Sequence, residues 1–120
     1  MRSAAEPGLH GVIMRTWRGV VRRTDADRYA DYIRETGFTA YGETPGNRGA
    51  WLLRRDDGEE TEFLTLSLWE SRAAIVAFAG DDIEAAVLYP EDAAYLLGTS
   101  TITHHDVVDA VADGVGGVSP

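Results

Sequence analysis

The chain has 120 residues with 11 basic and 20 acidic side chains, and its net charge of −9 argues against a nucleic-acid partner. It has no cysteine, which excludes disulfides, thiolate metal sites and cysteine nucleophiles. The length fits one domain, and no apolar run reaches the roughly 18 residues of a transmembrane helix. We therefore expect a cytoplasmic domain over residues 12–108 with no membrane partner, between a flexible leader (1–11) and a flexible tail (109–120).

The pattern of apolar and turn residues predicts six elements, in the order strand, helix, strand, strand, helix, strand, at 12–19, 25–36, 50–55, 62–69, 71–80 and 101–108. Thr24 is expected to cap the first helix and Gly37 to end it before a loop over 38–46. Asp56-Asp57-Gly58 is typical of a hairpin turn between the second and third strands. Residues 81–88 are expected to continue as a further helical segment.

The order βαββαβ indicates a ferredoxin-like α+β fold, in which an antiparallel sheet carries the helices on one face. In the third predicted strand, Leu64, Leu66 and Leu68 alternate with polar and aromatic residues and share the face that the helices leave open. A monomer would leave this leucine row in water, so we expect a homodimer that packs sheet against sheet. We expect Trp51, on the second strand, at this interface rather than in a pocket.

The opposite face of the sheet offers side chains for a pocket between the sheet and the helices. Arg15 and Trp17 share one face of the first strand, and Thr65, Ser67 and Trp69 share one face of the third. Two indoles, one guanidinium and two hydroxyls suit a planar phenolate. The alternative interpretation is that both tryptophans only fill the core, because Trp is a core residue more often than a catalytic one.

Histidine is scarce, and the adjacent His104 and His105 should point to opposite faces of the last strand, so they cannot easily share a metal. With no cysteine as well, we expect no protein metal site. Asp106 follows on the same face as His104 and could orient its imidazole as a base, although a half-exposed strand-end histidine is the simpler interpretation. Tyr89 either reaches the mouth of the pocket as a hydrogen-bond donor or only closes a turn.

Several stretches of the chain resemble the antibiotic biosynthesis monooxygenase-like family, over roughly residues 12–108. The resemblance rests on Phe63-Leu64-Thr65-Leu66-Ser67-Leu68-Trp69-Glu70-Ser71, Ala77-Phe78-Ala79-Gly80-Asp81-Asp82-Ile83-Glu84 and Pro45-Gly46. It implies a dimeric α+β barrel. The family includes cofactor-independent oxygenases of polyketide-derived phenols and anthrones, haem-degrading enzymes, and proteins of no known role.

The first hypothesis is a small cofactor-independent monooxygenase that acts on an aromatic or polyketide-derived molecule. Arg15 would stabilise the substrate anion, Trp69 would hold the ring, and His104 would take the proton. The predicted substrate-binding residues are Trp17, Thr65, Ser67 and Tyr89. No cofactor is expected.

The second hypothesis is haem binding or degradation. The haem-degrading branch carries an Asn on strand one, a Trp at the end of strand three and an axial His after helix two. Trp69 matches the Trp, but Trp17 stands where the Asn would be, and the His position falls near Leu88. The third hypothesis is a non-catalytic dimeric module that sequesters a small hydrophobic molecule in the same pocket.

Overall fold

Four antiparallel strands form one sheet in the computed structural model, which describes residues 11–111. The strands are β1 (Ile13–Arg22), β2 (Asn47–Asp57), β3 (Glu60–Trp69) and β4 (Thr101–Asp106). Their spatial order is β2-β3-β1-β4, with β1 paired to both β3 and β4. The predicted leader and tail lie largely outside the described residues.

The helices are α1 (Ala26–Ile33), α2 (Thr39–Glu43), α3 (Arg72–Ala79) and α4 (Asp92–Tyr95). They pack on one face of the sheet, where side chains of β1 and β3 are buried against α1 and α3. The predicted ferredoxin-like α+β fold is therefore confirmed. Within residues 11–111, no helix is both long and apolar enough to cross a bilayer.

The ends of α3 and of the β2–β3 hairpin follow from local residue chemistry. The Ser71 hydroxyl accepts the N–H of Ala74 at 3.1 Å, and Gly80 ends α3 with a φ of 88°. Gly58, with a φ of 64°, opens a two-residue turn after Asp57. These two predictions are confirmed, although the turn begins later than expected.

The first helix starts later than predicted. Thr24 lies in a short 3-10 turn (Arg23–Asp25), and α1 begins at Ala26 with no side-chain cap, so the predicted cap at Thr24 is wrong. The apolar stripe is confirmed, since the buried residues of α1 are Ala26, Tyr29, Ala30 and Ile33. Packing of this stripe stabilises the helix without a cap, because most helical stability in proteins comes from tertiary contacts.

Gly37 does not end the helix, and the predicted loop over 38–46 is helical as far as Glu43. A π-helical turn (Arg34–Phe38) leads directly into α2. A glycine in a helix costs about 1 kcal/mol. The buried Tyr41 offsets this cost, because its ring packs against Trp69 at 6.2 Å between centroids.

The predicted helical segment over 81–88 is wrong. The chain forms only a turn here, in which the Ala85 N–H donates to the Asp82 carbonyl at 3.1 Å. The carbonyls of Ile83 and Ala85 accept N–H groups of Arg15 at 2.6 and 3.1 Å. The buried guanidinium therefore binds backbone carbonyls that would otherwise accept the hydrogen bonds of a helix, and this segment stays irregular.

The two faces of β3 differ as predicted. Thr65, Ser67 and Trp69 are buried under the helices, while the leucine row alternating with them is half-buried. Trp51 lies opposite Leu66 and therefore shares the open face with the leucines. The homodimer itself stays a prediction.

Candidate functional site

A cleft lies between the covered face of the sheet and the helices, where two clusters of buried side chains meet. Its aromatic lining consists of Trp17, Tyr29, Tyr41, Phe78 and Tyr89. The empty volume is about 450 Å³ including space open to solvent, of which about 40 Å³ admits the centre of a water-sized sphere. Since one water needs at least about 10–15 Å³ on that measure, the cleft holds a few waters, and a planar ring enters only if the walls move apart.

Arg15 supplies a positive charge to the lining of the cleft, and the residue is 1% exposed. Beyond its bonds to the carbonyls of Ile83 and Ala85, its Nη1 donates to Nε2 of His104 at 3.0 Å. A guanidinium has five N–H groups, so two have no protein acceptor among residues 11–111. Burial lowers the pKa of Arg15, and the charge of Glu84 opposes this shift.

His104 stands behind Arg15 and does not itself line the cleft. Because its Nε2 accepts from Arg15, its proton is on Nδ1, which lies 3.4 Å from Oε2 of Glu84 without hydrogen-bond alignment. Burial and the charge of Arg15 lower the pKa of His104, which favours the neutral imidazole. Glu84, and not the exposed Asp106, faces the imidazole, so the predicted pairing with Asp106 is wrong.

Trp69 and Ser67 lie beneath the wall of the cleft rather than in its lining. Both side chains are fully buried, and Nε1 of Trp69 donates to Oγ of Ser67 at 2.9 Å. The Trp69 ring packs against Tyr41 and Phe78, which do line the cleft. Any effect of these two predicted residues on a ligand therefore passes through the aromatic rings above them.

Trp17 lines the cleft, and its buried Nε1–H has no acceptor among residues 11–111. The side chain is 8% exposed, so this donor cannot count on bulk water. Gly19 lets the indole lie flat along β1, since a Cβ at that position would come within 2.5 Å of the ring. An unsatisfied buried donor costs about 1–3 kcal/mol, and a ligand oxygen in the cleft would remove that cost.

Two further predicted residues also line the cleft. Oγ1 of Thr65 shares a hydrogen bond with the hydroxyl of Tyr41 at 2.8 Å. Tyr89 also lines the cleft, and burial raises the pKa of its hydroxyl. The structure thus brings Arg15, Trp17, Thr65 and Tyr89 to one cleft.

The sequence analysis missed a pair of buried residues that also line this cleft. The Tyr29 hydroxyl donates to Oδ1 of Asp92 at 2.7 Å, and both residues line the cleft. Burial raises the pKa of Tyr29, and the hydrogen bond to Asp92 adds to this shift. Tyr29 looks like a core residue of α1, and Asp92 looks like an acid in a first helical turn. No local pattern could join two residues this far apart in the chain.

Metal-ligating side chains do not converge in the described part of the chain. No group of three or more His, Asp and Glu side chains is placed to hold a metal ion there. His104 is buried on the covered face, whereas His105 is exposed on the open face, as the strand alternation predicts.

No protein-family model matches the chain, and no curated protein matches its sequence. Solved structures do match its fold. SnoaB, a cofactor-independent oxygenase from Streptomyces nogalater, is 15% identical with a TM-score of 0.61, and the match covers 86% of this chain and 99% of SnoaB. A candidate antibiotic biosynthesis monooxygenase from Bacillus cereus is 13% identical with a TM-score of 0.61, covering 85% and 98%.

The heme-degrading protein Rv3592 from Mycobacterium tuberculosis is 22% identical with a TM-score of 0.54, and the match covers 84% of this chain and 97% of Rv3592. Identities this low show a shared fold and no shared activity. The resemblance to the antibiotic biosynthesis monooxygenase-like family is therefore confirmed at the level of the fold, and the chain has the fold of these proteins.

Proposed function

We propose that the walls of the cleft move apart to bind a planar, ionisable aromatic molecule and that the chain oxygenates it without a cofactor. One observation carries this proposal: in the part of the chain that the structure describes, an aromatic-walled cleft holds a buried guanidinium with unused N–H groups and a buried indole N–H with no acceptor. None of the ion pairs within residues 11–111 includes Arg15. An anionic oxygen on a flat ring would satisfy both donors at once.

Such a molecule supplies the electrons itself. An anthrone loses a proton from its methylene carbon, and the resulting carbanion reduces O₂ and forms a carbon–peroxide bond. The peroxide then loses water, so that one oxygen atom stays as a new carbonyl and the other leaves in water. The chain has to hold the anion, accept the proton and exclude bulk water. Arg15 is placed for the first of these tasks.

Haem is less well supported, although one protein of this fold is named as heme-degrading. Nε2 of His104 already accepts an N–H of Arg15, so it is not free to bind iron. Leu88, near which the resemblance would place the axial histidine, is exposed. A sequestering module would use the same cleft as the oxygenase and differ only in the absence of turnover.

We also propose that the chain acts as a homodimer through the open face of the sheet. The half-buried row of Leu64, Leu66 and Leu68, with Trp51 beside it, is the support for this proposal. The cytoplasmic location stays a prediction.

Oxygen uptake with 1,8-dihydroxyanthrone, without added flavin or metal, tests the proposed function. We expect uptake above the uncatalysed rate and formation of the anthraquinone. Trp17→Phe should weaken binding about tenfold, because it removes one hydrogen bond to an anionic oxygen, worth roughly 1.5 kcal/mol. Trp51→Phe is the matched control on the open face and should bind normally.

The outcomes separate the hypotheses. Tight binding without uptake would replace the oxygenase with the sequestering module. Neither binding nor uptake across a panel of phenols and anthrones would contradict the proposed function.

A further inference from the structure

Asp92 is a buried carboxylate without a cation. It is 5% exposed and lines the cleft, and no ion pair within residues 11–111 includes it. Among residues 11–111, the carboxylate of Asp92 accepts hydrogen bonds only from the Tyr29 hydroxyl at 2.7 Å and from the Tyr89 N–H at 2.6 Å. A buried carboxylate that lacks a counter-charge depends on its hydrogen bonds to offset the cost of burial.

The groups packed around Tyr29 are aromatic rings, among them those of Phe63 at 5.7 Å and Trp17 at 6.5 Å. The rings of Tyr95 and Tyr32 lie 5.1 and 6.3 Å from the ring of Tyr29, and Tyr89 precedes Asp92 in the same turn. Glu91, the neighbouring acid, is exposed, and its side chain forms no ion pair or hydrogen bond among residues 11–111. No positive charge therefore competes with a ligand for the free lone pairs of Asp92 within residues 11–111.

We propose that Tyr29 and Asp92 together form the proton acceptor of the cleft, for a ligand that carries a hydroxyl or an acidic C–H at this end and an anionic oxygen at the Arg15 end. This inference rests on the proposed function. The methylene C–H of the anthrone gives its proton to the Tyr29 oxygen while the Tyr29 proton moves to Oδ1 of Asp92. Tyr29 ends neutral and Asp92 ends protonated. The electron pair of the broken C–H bond passes into the ring system, and the negative charge rests on the carbonyl oxygen at the Arg15 end.

The geometry favours this pair over His104 as the base. In the neutral imidazole of His104, the unprotonated nitrogen Nε2 already accepts a hydrogen bond from Arg15, and the His104 ring does not line the cleft. Asp92 and Tyr29 both do. The cleft therefore contains a proton acceptor as well as cationic and N–H donors, and it selects a molecule that carries both an acidic proton and an anionic oxygen.

Asp92 also has a structural role, which the test must separate from catalysis. Oδ2 accepts the Tyr89 N–H and closes the turn before α4, while Oδ1 faces Tyr29. Asn at this position keeps one carbonyl oxygen for the turn and removes the charge. Asp92→Asn is therefore the conservative variant.

The test compares oxygen uptake with 1,8-dihydroxyanthrone between pH 6 and 9 for the wild type, Asp92→Asn and the control Glu91→Gln. At neutral pH, Asp92→Asn should turn over about 100-fold more slowly, the lower end of what a general base contributes. Its rate should recover towards the wild-type rate as pH rises and the anthrone ionises in solution. Glu91→Gln should match the wild type at every pH.

Tyr29→Phe is the second variant, needed if Asp92→Asn does not fold by circular dichroism. It should be about tenfold slower at neutral pH with the same recovery at high pH. A folded variant that keeps the wild-type rate, or that loses the same factor at every pH, would overturn this inference. An inactive wild type would instead be a failure of the proposed function.

Discussion

The two faces of the same sheet differ in what they bury. On the covered face, β1 and β3 bury a guanidinium, two indoles and three hydroxyls. Among the described residues, the hydroxyls have hydrogen-bond partners, whereas the Trp17 N–H and two N–H groups of the guanidinium have none. On the open face, the same strands present a half-buried aliphatic row with Trp51 beside it. A polar, aromatic face builds a specific site, whereas an exposed aliphatic row is suited to a partner surface.

The largest expected effect is on the open face. Leu66→Glu places a carboxylate in the centre of the leucine row and should abolish the dimer, giving monomer or aggregate, because an unpaired buried charge is costly. Sedimentation at micromolar concentration checks this. Val76→Glu, on the exposed side of α3, is the control and should remain dimeric. A wild type that sediments as a 13.1 kDa monomer would contradict the account of this face.

The next effect compares two arginines of β1 on opposite faces. Arg15→Met leaves the carbonyls of Ile83 and Ala85 without donors, so the free energy of unfolding should fall by about 2–4 kcal/mol. Turnover should fall by roughly two orders of magnitude, as when one transition-state donor is lost. Arg18→Met removes only a half-exposed ion pair with Glu62 and should cost less than about 1 kcal/mol. If denaturant unfolding showed the same loss of unfolding free energy in both variants, the predicted difference between the two arginines would be contradicted.

A third variant separates core from lining on the covered face. Trp69→Phe removes the hydrogen bond to Ser67 and part of a buried ring, so we expect a loss of about 2 kcal/mol in unfolding free energy. Ligand affinity should change less than in Trp17→Phe, because Trp69 does not line the cleft. Paired denaturation and binding titrations check this. A larger affinity loss in Trp69→Phe would show that the ligand reaches deeper than the present lining.

The two histidines of β4 give a smaller, pH-dependent contrast. The folded pKa of His104 is lowered, so the unfolded chain binds its proton first as pH falls. The stability that this residue contributes is complete above its ordinary pKa of about 6.5 and is lost as pH falls below it, by at most about 1.4 kcal/mol per pH unit. His104→Gln should lack this component of the pH dependence of unfolding. His105→Gln, exposed on the open face, should keep it.

The smallest expected effect is with hemin. We expect no saturable one-to-one Soret shift, because Nε2 of His104 is occupied by Arg15. A sharp shift that disappears in His104→Ala would instead identify this histidine as an axial ligand and restore the haem hypothesis.

Strand alternation explains why the faces could be predicted from sequence. A period of two assigns Arg15, Trp17, Thr65 and Ser67 to one face and the leucines to the other without knowledge of the partners. The order of elements then fixes which face the helices cover. The prediction that Gly37 ends the helix was wrong because the cost of a glycine within a helix is small compared with the stabilisation from burying Tyr41.

The site was harder to predict because it depends on contacts between distant segments. The irregular path of 81–88 follows from Arg15, which lies 68 residues from Ile83 in the chain. The Tyr29–Asp92 bond spans 63 residues. Neither contact has a local sequence signal, so the side chains could be assigned to a face but not to the lining of a cleft.

The three tryptophans provide the most direct test of the central claim, because one lines the cleft, one lies beneath it and one is on the open face. Their indole N–H signals can be followed by ¹⁵N–¹H NMR while 1,8-dihydroxyanthraquinone is added. We predict that the Trp17 signal shifts as its N–H gains an acceptor, while those of Trp69 and Trp51 change little. A shift of Trp51 with Trp17 unchanged would place the ligand on the open face and contradict the account.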